Sequence, residues 1–305
     1  MNWFSVSGFL LGIILGSLIG ALVDRSLKDK SFWGRSYCVS CKKHLQWYDL
    51  FPVFSFLIYK GKCRYCSKPI PREIFFTEVL SGVLISFLFW HSYPNFQFSI
   101  FNFQSIFNLS NVQAFLDLIF KTFFVVILLI LAVTDLKKTL IPDRIVIPGL
   151  WILFTTLLLI TEYKIFYLHI YLSNTALGQF LLPPHSDYFY RHSGYQIQDL
   201  ITTILVALGI GGFFLLIIIM TKGKGMGGGD VKLGAFIGLG LGFPNAVLAL
   251  MLSFVSGAVV ALSLILLGKK SFGQTIPFGP FLVLGALIAL FWGEQILNWY
   301  LSLHI

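Results

Sequence analysis

Apolar residues come along this chain in long runs, separated by short connections that hold most of the charge. Runs that approach or exceed roughly 20 residues are long enough to cross a bilayer as a helix. They predict eight membrane segments, at 3–23, 74–92, 114–134, 145–162, 200–220, 231–243, 246–267 and 281–301, of which the sixth is short. The first run, Trp3 to Val23, is not followed by a small-residue cleavage pattern, so it is expected to be a retained helix and not a signal peptide.

Composition agrees with that pattern. The chain is 57% hydrophobic and 11% charged over 305 residues, too apolar to be buried in one soluble core. The expected fold class is an all-α polytopic membrane protein of about eight transmembrane helices, with a small loop domain at 24–73. The net charge of +9 raises the question of nucleic acid, but the basic residues lie in short connections and form no basic domain. Nineteen of the 22 Lys and Arg fall in 24–73, 135–144, 221–232 and 268–280, while the opposite connections hold Lys164 and Arg191, and Lys121 lies inside a segment. The basic connections are therefore expected to be cytoplasmic, with both termini facing outward. Asp135 and Asp230 then share the cytoplasmic end of the bundle.

Small residues recur every four positions in two segments, at Gly8, Gly12, Gly16 and Gly20 and again at Gly234, Gly238 and Gly242. In lipid this spacing lets helix backbones approach closely, and packing explains it without any chemistry. The outward loops 93–113 and 163–199 are rich in Phe, Tyr, Asn and Ser and read as lid-like or interfacial additions.

All four cysteines lie in one connection, as Cys38-Val-Ser-Cys41 and Cys63-Arg-Tyr-Cys66, two C-x-x-C pairs separated by 21 residues. That is close to the spacing of a four-thiolate zinc site. A loop of about 50 residues is too small for a substantial core, and a tetrahedral ion supplies the missing folding energy. Disulfide or redox cysteines and unligated thiols are the alternatives, the first disfavoured in a reducing compartment. His44 reads as a surface residue.

The carboxylates are ambiguous one at a time. Asp230 can be a helix cap, Asp135 the polar end of a helix before Lys137 and Lys138, Asp143 a turn or cap residue, and Asp117 interfacial. As a pair, Asp135 and Asp230 can share a proton, one taking a proton from water while the other polarises a peptide carbonyl. The glycine run Gly225-Met226-Gly227-Gly228-Gly229 offers an extended substrate an approach free of side chains. It has neither the Gly-Lys-Ser/Thr ending nor the preceding strand of a phosphate-binding loop. An ion- or proton-coupled transporter could use the same two carboxylates.

The sequence resembles the bifunctional type IV prepilin peptidases, membrane aspartyl proteases that also N-methylate the mature pilin. One block runs from Arg35-Ser36-Tyr37-Cys38 through Trp47-Tyr48-Asp49, Pro52-Val53 and Gly61-Lys62-Cys63 to Thr77-Glu78-Val79-Leu80-Ser81-Gly82. A second is Thr134-Asp135 with Ile141-Pro142-Asp143, and a third is Gly225 to Asp230 with Lys232-Leu233. Pro277-Phe278-Gly279-Pro280 follows in the last basic connection. Together these cover most of the chain. The resemblance implies Asp135 and Asp230 as the catalytic pair, supported by Gly227, Gly229 and Lys232, cutting class III leaders of prepilins or pseudopilins at the cytoplasmic face of a bacterial inner membrane. The family cuts after a glycine and methylates the new amino terminus, usually Phe, with S-adenosylmethionine. This second activity is associated with the cysteine loop.

The implied organisation is a first helix at 1–23, a zinc domain at 24–73 bound by Cys38, Cys41, Cys63 and Cys66, a second helix and outward loop at 74–113, and a six-helix peptidase domain at 114–305 with an insertion at 163–199. Glu78 is either a contributor to the leader or methyl-donor site or a structural helix-end charge. The Asp135–Asp230 separation is longer than family members usually show, with the surplus in 163–199. A peptidase with a degenerate methyltransferase domain is the nearest alternative.

Overall fold

The computed structural model describes residues 3–38, 40–93, 109–223, 225–269, 271 and 276–303. Most of the expected outward loop 93–113 lies outside these residues. Nine helices follow in order among the described residues: α1 (Trp3–Leu27), α2 (Phe54–Ile58), α3 (Arg72–Ser92), α4 (Leu109–Lys138), α5 (Asp143–Ser173), α6 (Tyr188–Met220), α7 (Gly228–Leu241), α8 (Asn245–Leu266) and α9 (Gly279–Ser302). The described residues hold no named strand, only isolated bridges at Tyr37–His44 and Lys62–Pro69. Among the described residues, seven helices are long and apolar enough to cross a membrane. The expected short sixth segment is α7, whose 14 residues rise only about 21 Å, less than the hydrocarbon thickness.

The segment 163–199 differs from its expectation as a loop. α5 continues to Ser173 and α6 begins at Tyr188, so most of it is helical extension around a short 3-10 turn at Gly178–Leu181. Its mixture of aromatic and polar residues lowers the hydropathy without breaking the helices.

The chain forms two compact units, one of Met1–Pro94 with Lys121–Ile145 and the other of Asn95–Phe120 with Val146–Ile305. In the first, α1 and α3 pack antiparallel along the predicted glycine stripe. A Cβ on Gly12 would lie 2.6 Å from the Ser81 carbonyl oxygen and 2.7 Å from Gly82 Cα, and one on Gly8 would strike Phe89. Ser81 uses the close approach to donate its hydroxyl to the Gly12 carbonyl at 2.8 Å. Gly20 is the exception, with nothing within 4 Å. The interface is completed by Ile13, Ile19, Val23, Ile85 and Leu88, all buried. Without a hydrophobic driving force in lipid, this fit of small residues supplies the dispersion contacts that hold helices together.

In the second unit α6 and α7 form a similar seam. Gly234 accommodates Phe214 and Ile210, Gly238 lies on Ala207, and Gly242 on Thr203. α8 and α9 close on Gly285, which meets Ala249 and Ser253.

Candidate functional site

Asp135 occupies the last turn of α4, and its backbone carbonyl accepts the Thr139 N–H at 2.7 Å. Thr139 has φ 49°, so the chain leaves the helix through a left-handed residue, and α5 starts at Asp143 directly after Pro142. Thr134 beside it is fully buried and returns its hydroxyl to the Ile130 and Leu131 carbonyls. Within the first unit this helix end is fastened to its neighbours. Lys138 Nζ donates to the Leu27 carbonyl at the end of α1, and Lys137 pairs with Glu73 in the first turn of α3 at 2.7 Å. Asp135 therefore lies at the same end of the unit as the cysteine loop, which leaves α1 and enters α3 there.

Asp230 is in the first turn of α7, in the second unit. Its carboxylate accepts the Gly227 N–H at 3.3 Å while its own N–H donates to the Gly227 carbonyl at 3.1 Å. A negative group is well placed there, against the unpaired amides of a helix start. Two of the glycines before it, Gly227 and Gly228, are not demanded by the protein's own packing, whereas a Cβ on Gly225 would come within 2.9 Å of Thr221. A Cβ on Gly228 would meet nothing within 4 Å, and one on Gly227 only Asp230 and the Gly229 nitrogen at 4.0 Å. Lys232 is half-buried one turn into α7.

The block Pro277–Pro280 is held in the same unit by Phe278. Its ring lies 5.1 Å from Phe254 and 6.2 Å from Phe214, the residue that seats Gly234 one turn below Asp230. The sequence of the block assigns it no role; its one signal is an aromatic residue set among prolines and glycine.

Of the 13 Asp and Glu residues, all within the described part of the chain, three are buried: Glu78, Asp135 and Asp230. Glu78 lies in the second turn of α3, where its Oε2 accepts the Val53 N–H at 2.7 Å and the Ser17 hydroxyl is a further partner. Asp143 is exposed at the start of α5.

The cysteine loop is built as two copies of one turn. In the first, Cys38 N–H donates to the Lys43 carbonyl and Lys42 N–H to the Cys38 carbonyl; in the second, Cys63 N–H donates to Lys68 and Ser67 N–H to Cys63. Lys42 and Ser67, at equivalent places, both have positive φ, and each turn ends in one of the two bridges. Between them, Asp49 accepts the Tyr65 hydroxyl at 2.9 Å and the Gln46 N–H at 3.1 Å, joining the intervening segment to the second turn. This hydrogen bond, with burial, pushes the Tyr65 phenol up to about 12.

The four sulfurs lie within 4.8 Å of one another, with Cys38 and Cys66 Sγ atoms 3.9 Å apart, and no disulfide joins them. A tetrahedral ion with Zn–S bonds of about 2.3 Å needs sulfurs about 3.8 Å apart, so donor chemistry and spacing both fit zinc. The Cys41 backbone N–H, then that of Ser40, lowers the Cys38 thiol to about 7 against the opposing effect of burial. The Cys66 thiol, although the Lys68 backbone N–H draws it down, is raised to about 11 by burial and by its three sulfur neighbours. Crowded thiols resist joint ionisation, and a divalent cation removes that conflict. His44 is exposed and outside the cluster.

Comparison with known proteins bears on both units. Residues 10–92 match the model of the bacterial peptidase A24 N-terminal domain, and residues 122–262 that of the type IV leader peptidase family. The chain is 30% identical to a prepilin leader peptidase/N-methyltransferase of Legionella pneumophila, over 90% of this chain and 78% of that protein. Proteins of the same description from Bacillus subtilis and Pseudomonas aeruginosa are 27% and 28% identical, over 97% and 98% of this chain and 98% and 94% of their own lengths. No solved structure matches the chain.

Proposed function

Because the chain belongs to the type IV leader peptidase family, we propose that it removes the leaders of type IV prepilins or type II secretion pseudopilins and methylates the new amino terminus, with Asp135 and Asp230 as the peptidase pair. It is a multi-pass membrane enzyme of an aspartic peptidase family. An ion-coupled transporter, open from the two carboxylates alone, is not favoured by this membership. The observation that carries the residue assignment is burial. Two aspartates, each at a helix end beside a matched motif, are kept from solvent where an ordinary helix-end charge would be solvated.

In the proposed cleavage one aspartate, ionised, takes a proton from water, and the resulting hydroxide adds to the scissile carbonyl carbon. The other, protonated, polarises the carbonyl oxygen. As the tetrahedral intermediate collapses, a proton passes to the leaving nitrogen and the C–N bond breaks. The open glycines Gly227 and Gly228 let an extended leader approach Asp230, with Gly229 completing the motif and Lys232 on the same helix as a supporting cation. The basic connections support a cytoplasmic face of the bacterial inner membrane for this site.

In the second reaction S-adenosylmethionine serves as co-substrate and gives its methyl group to the uncharged new α-amine, which then loses a proton. The loop at 24–73 is assigned to this activity, with zinc on Cys38, Cys41, Cys63 and Cys66 holding its two turns together. Coexpression with a prepilin tests the pair. Asp135→Asn and Asp230→Asn should each leave the precursor uncut on an electrophoretic gel, and mature pilin from either variant removes that residue from the assignment.

A further inference from the structure

Glu78 raises a problem that the peptidase pair does not solve: a carboxylate buried inside a membrane helix, paired with no Lys or Arg among the described residues. Its depth can be measured from two sides. It lies six residues into α3 from Arg72, about 9 Å, and its partner Ser17 lies seven residues before Asp24 on the antiparallel α1, about 10 Å. Both rulers put Glu78 well inside the charged rim.

The backbone it holds comes from the cysteine loop. Val53 has φ 62° and ψ −51°, and Phe54 N–H donates to the Pro52 carbonyl at 2.6 Å, which is a γ-turn strained for a β-branched residue. Val53 N–H points away from that turn and is accepted by Glu78. Helix α2 follows at once and meets the start of α3 through one ring, Phe56 stacking on Phe75 with ring centroids 4.9 Å apart. Its remaining apolar side chains have no such cover. Phe54, Leu57 and Ile58, with Phe51 before them, are each at least 49% exposed. Lys60, Lys62 and Arg64 follow, all exposed.

We propose that Phe51–Ile58 is a re-entrant segment immersed in the bilayer, its apolar side chains among acyl chains and the following cations at anionic headgroups. Irregular backbone is tolerated at membrane depth only where protein satisfies its polar groups, and Glu78 does this for Val53. Lipid is the occupant because the segment meets α3 at Phe75 and at the depth of Glu78, and α3 itself exposes the apolar Phe76 and Leu80. This inference rests on the membrane-spanning helices and is independent of the peptidase assignment.

Photocrosslinking in nanodiscs of phosphatidylethanolamine and phosphatidylglycerol tests it. A benzophenone amino acid replaces Phe54 or Ile58, with Leu80 on α3 as the lipid-facing reference and Lys42 in the first cysteine turn as the aqueous one. Phospholipid adducts, read by mass spectrometry, should form at Phe54 and Ile58 to the level of Leu80 and several-fold above Lys42. Adducts at the Lys42 level overturn the proposal, as do crosslinked protein dimers, which would mean that a second copy covers the face. Glu78→Leu should lower the Phe54 adducts several-fold while Leu80 keeps its level, whereas Glu78→Gln retains an acceptor and the labelling. Unchanged Phe54 labelling in Glu78→Leu overturns the role given to Glu78.

Discussion

Asp230 accepts the backbone N–H of Gly227 across the first turn of α7, so one carboxylate both closes a helix start and stands in the motif assigned to catalysis. These roles separate by substitution. Asp230→Asn keeps an oxygen acceptor for the amide but cannot take a proton, and should abolish cleavage while leaving thermal stability near that of the native protein. Asp230→Ala loses the hydrogen bond as well and should be less stable by about 1 kcal/mol. Thermal unfolding in detergent, beside a cleavage assay, distinguishes them.

The thiolate cluster gives a prediction on metal content. Purified protein should carry one zinc ion, and Cys63→Ser, at the most buried of the four positions, should lose it. If the loop serves methyl transfer, this variant should lose methylation more than cleavage. Elemental analysis and a methyl-transfer assay provide both readings.

Alkylation of chelator-treated protein should begin at Cys38. Its thiol is lowered to about 7, so below that pH the sulfur is protonated and slow to react, and above it the thiolate is present. Cys66, raised to about 11, should lag throughout the neutral range. Restoring zinc should protect both. Peptide mapping after iodoacetamide at a series of pH values checks the order.

Two glycines of one stripe should respond differently. Gly12→Ala forces a Cβ against the Ser81 and Gly82 backbone and should destabilise by about 1–3 kcal/mol, whereas Gly20→Ala meets open space and should be near neutral. Unfolding midpoints of the two variants make the comparison.

Much of this architecture was legible in the sequence because each legible feature is local. Apolar runs marked the membrane helices, the four-residue spacing marked the α1–α3 and α6–α7 seams, and C-x-x-C spacing marked the cluster. The three carboxylates singled out, Glu78, Asp135 and Asp230, are the three that are buried. What escaped is set by distant partners or by weak local signals. Glu78 could not be separated from a helix-end charge because its partner Val53 is 25 residues away. The Tyr65–Asp49 bond spans 16 residues. The helical extensions of α5 and α6 read as a loop in the sequence because hydropathy, unlike backbone hydrogen bonding, ends where polar residues begin. Gly20 repeated the stripe's spacing with no neighbour to pack on.

The most direct measurement is the mass of the amino-terminal peptide of a coexpressed prepilin, recovered with the native protein, Asp135→Asn, Asp230→Asn or no added protein. A leaderless peptide carrying one methyl group is expected with the native protein alone, and the intact leader in the other three. A processed peptide in either aspartate variant, or an intact leader with the native protein, would contradict it.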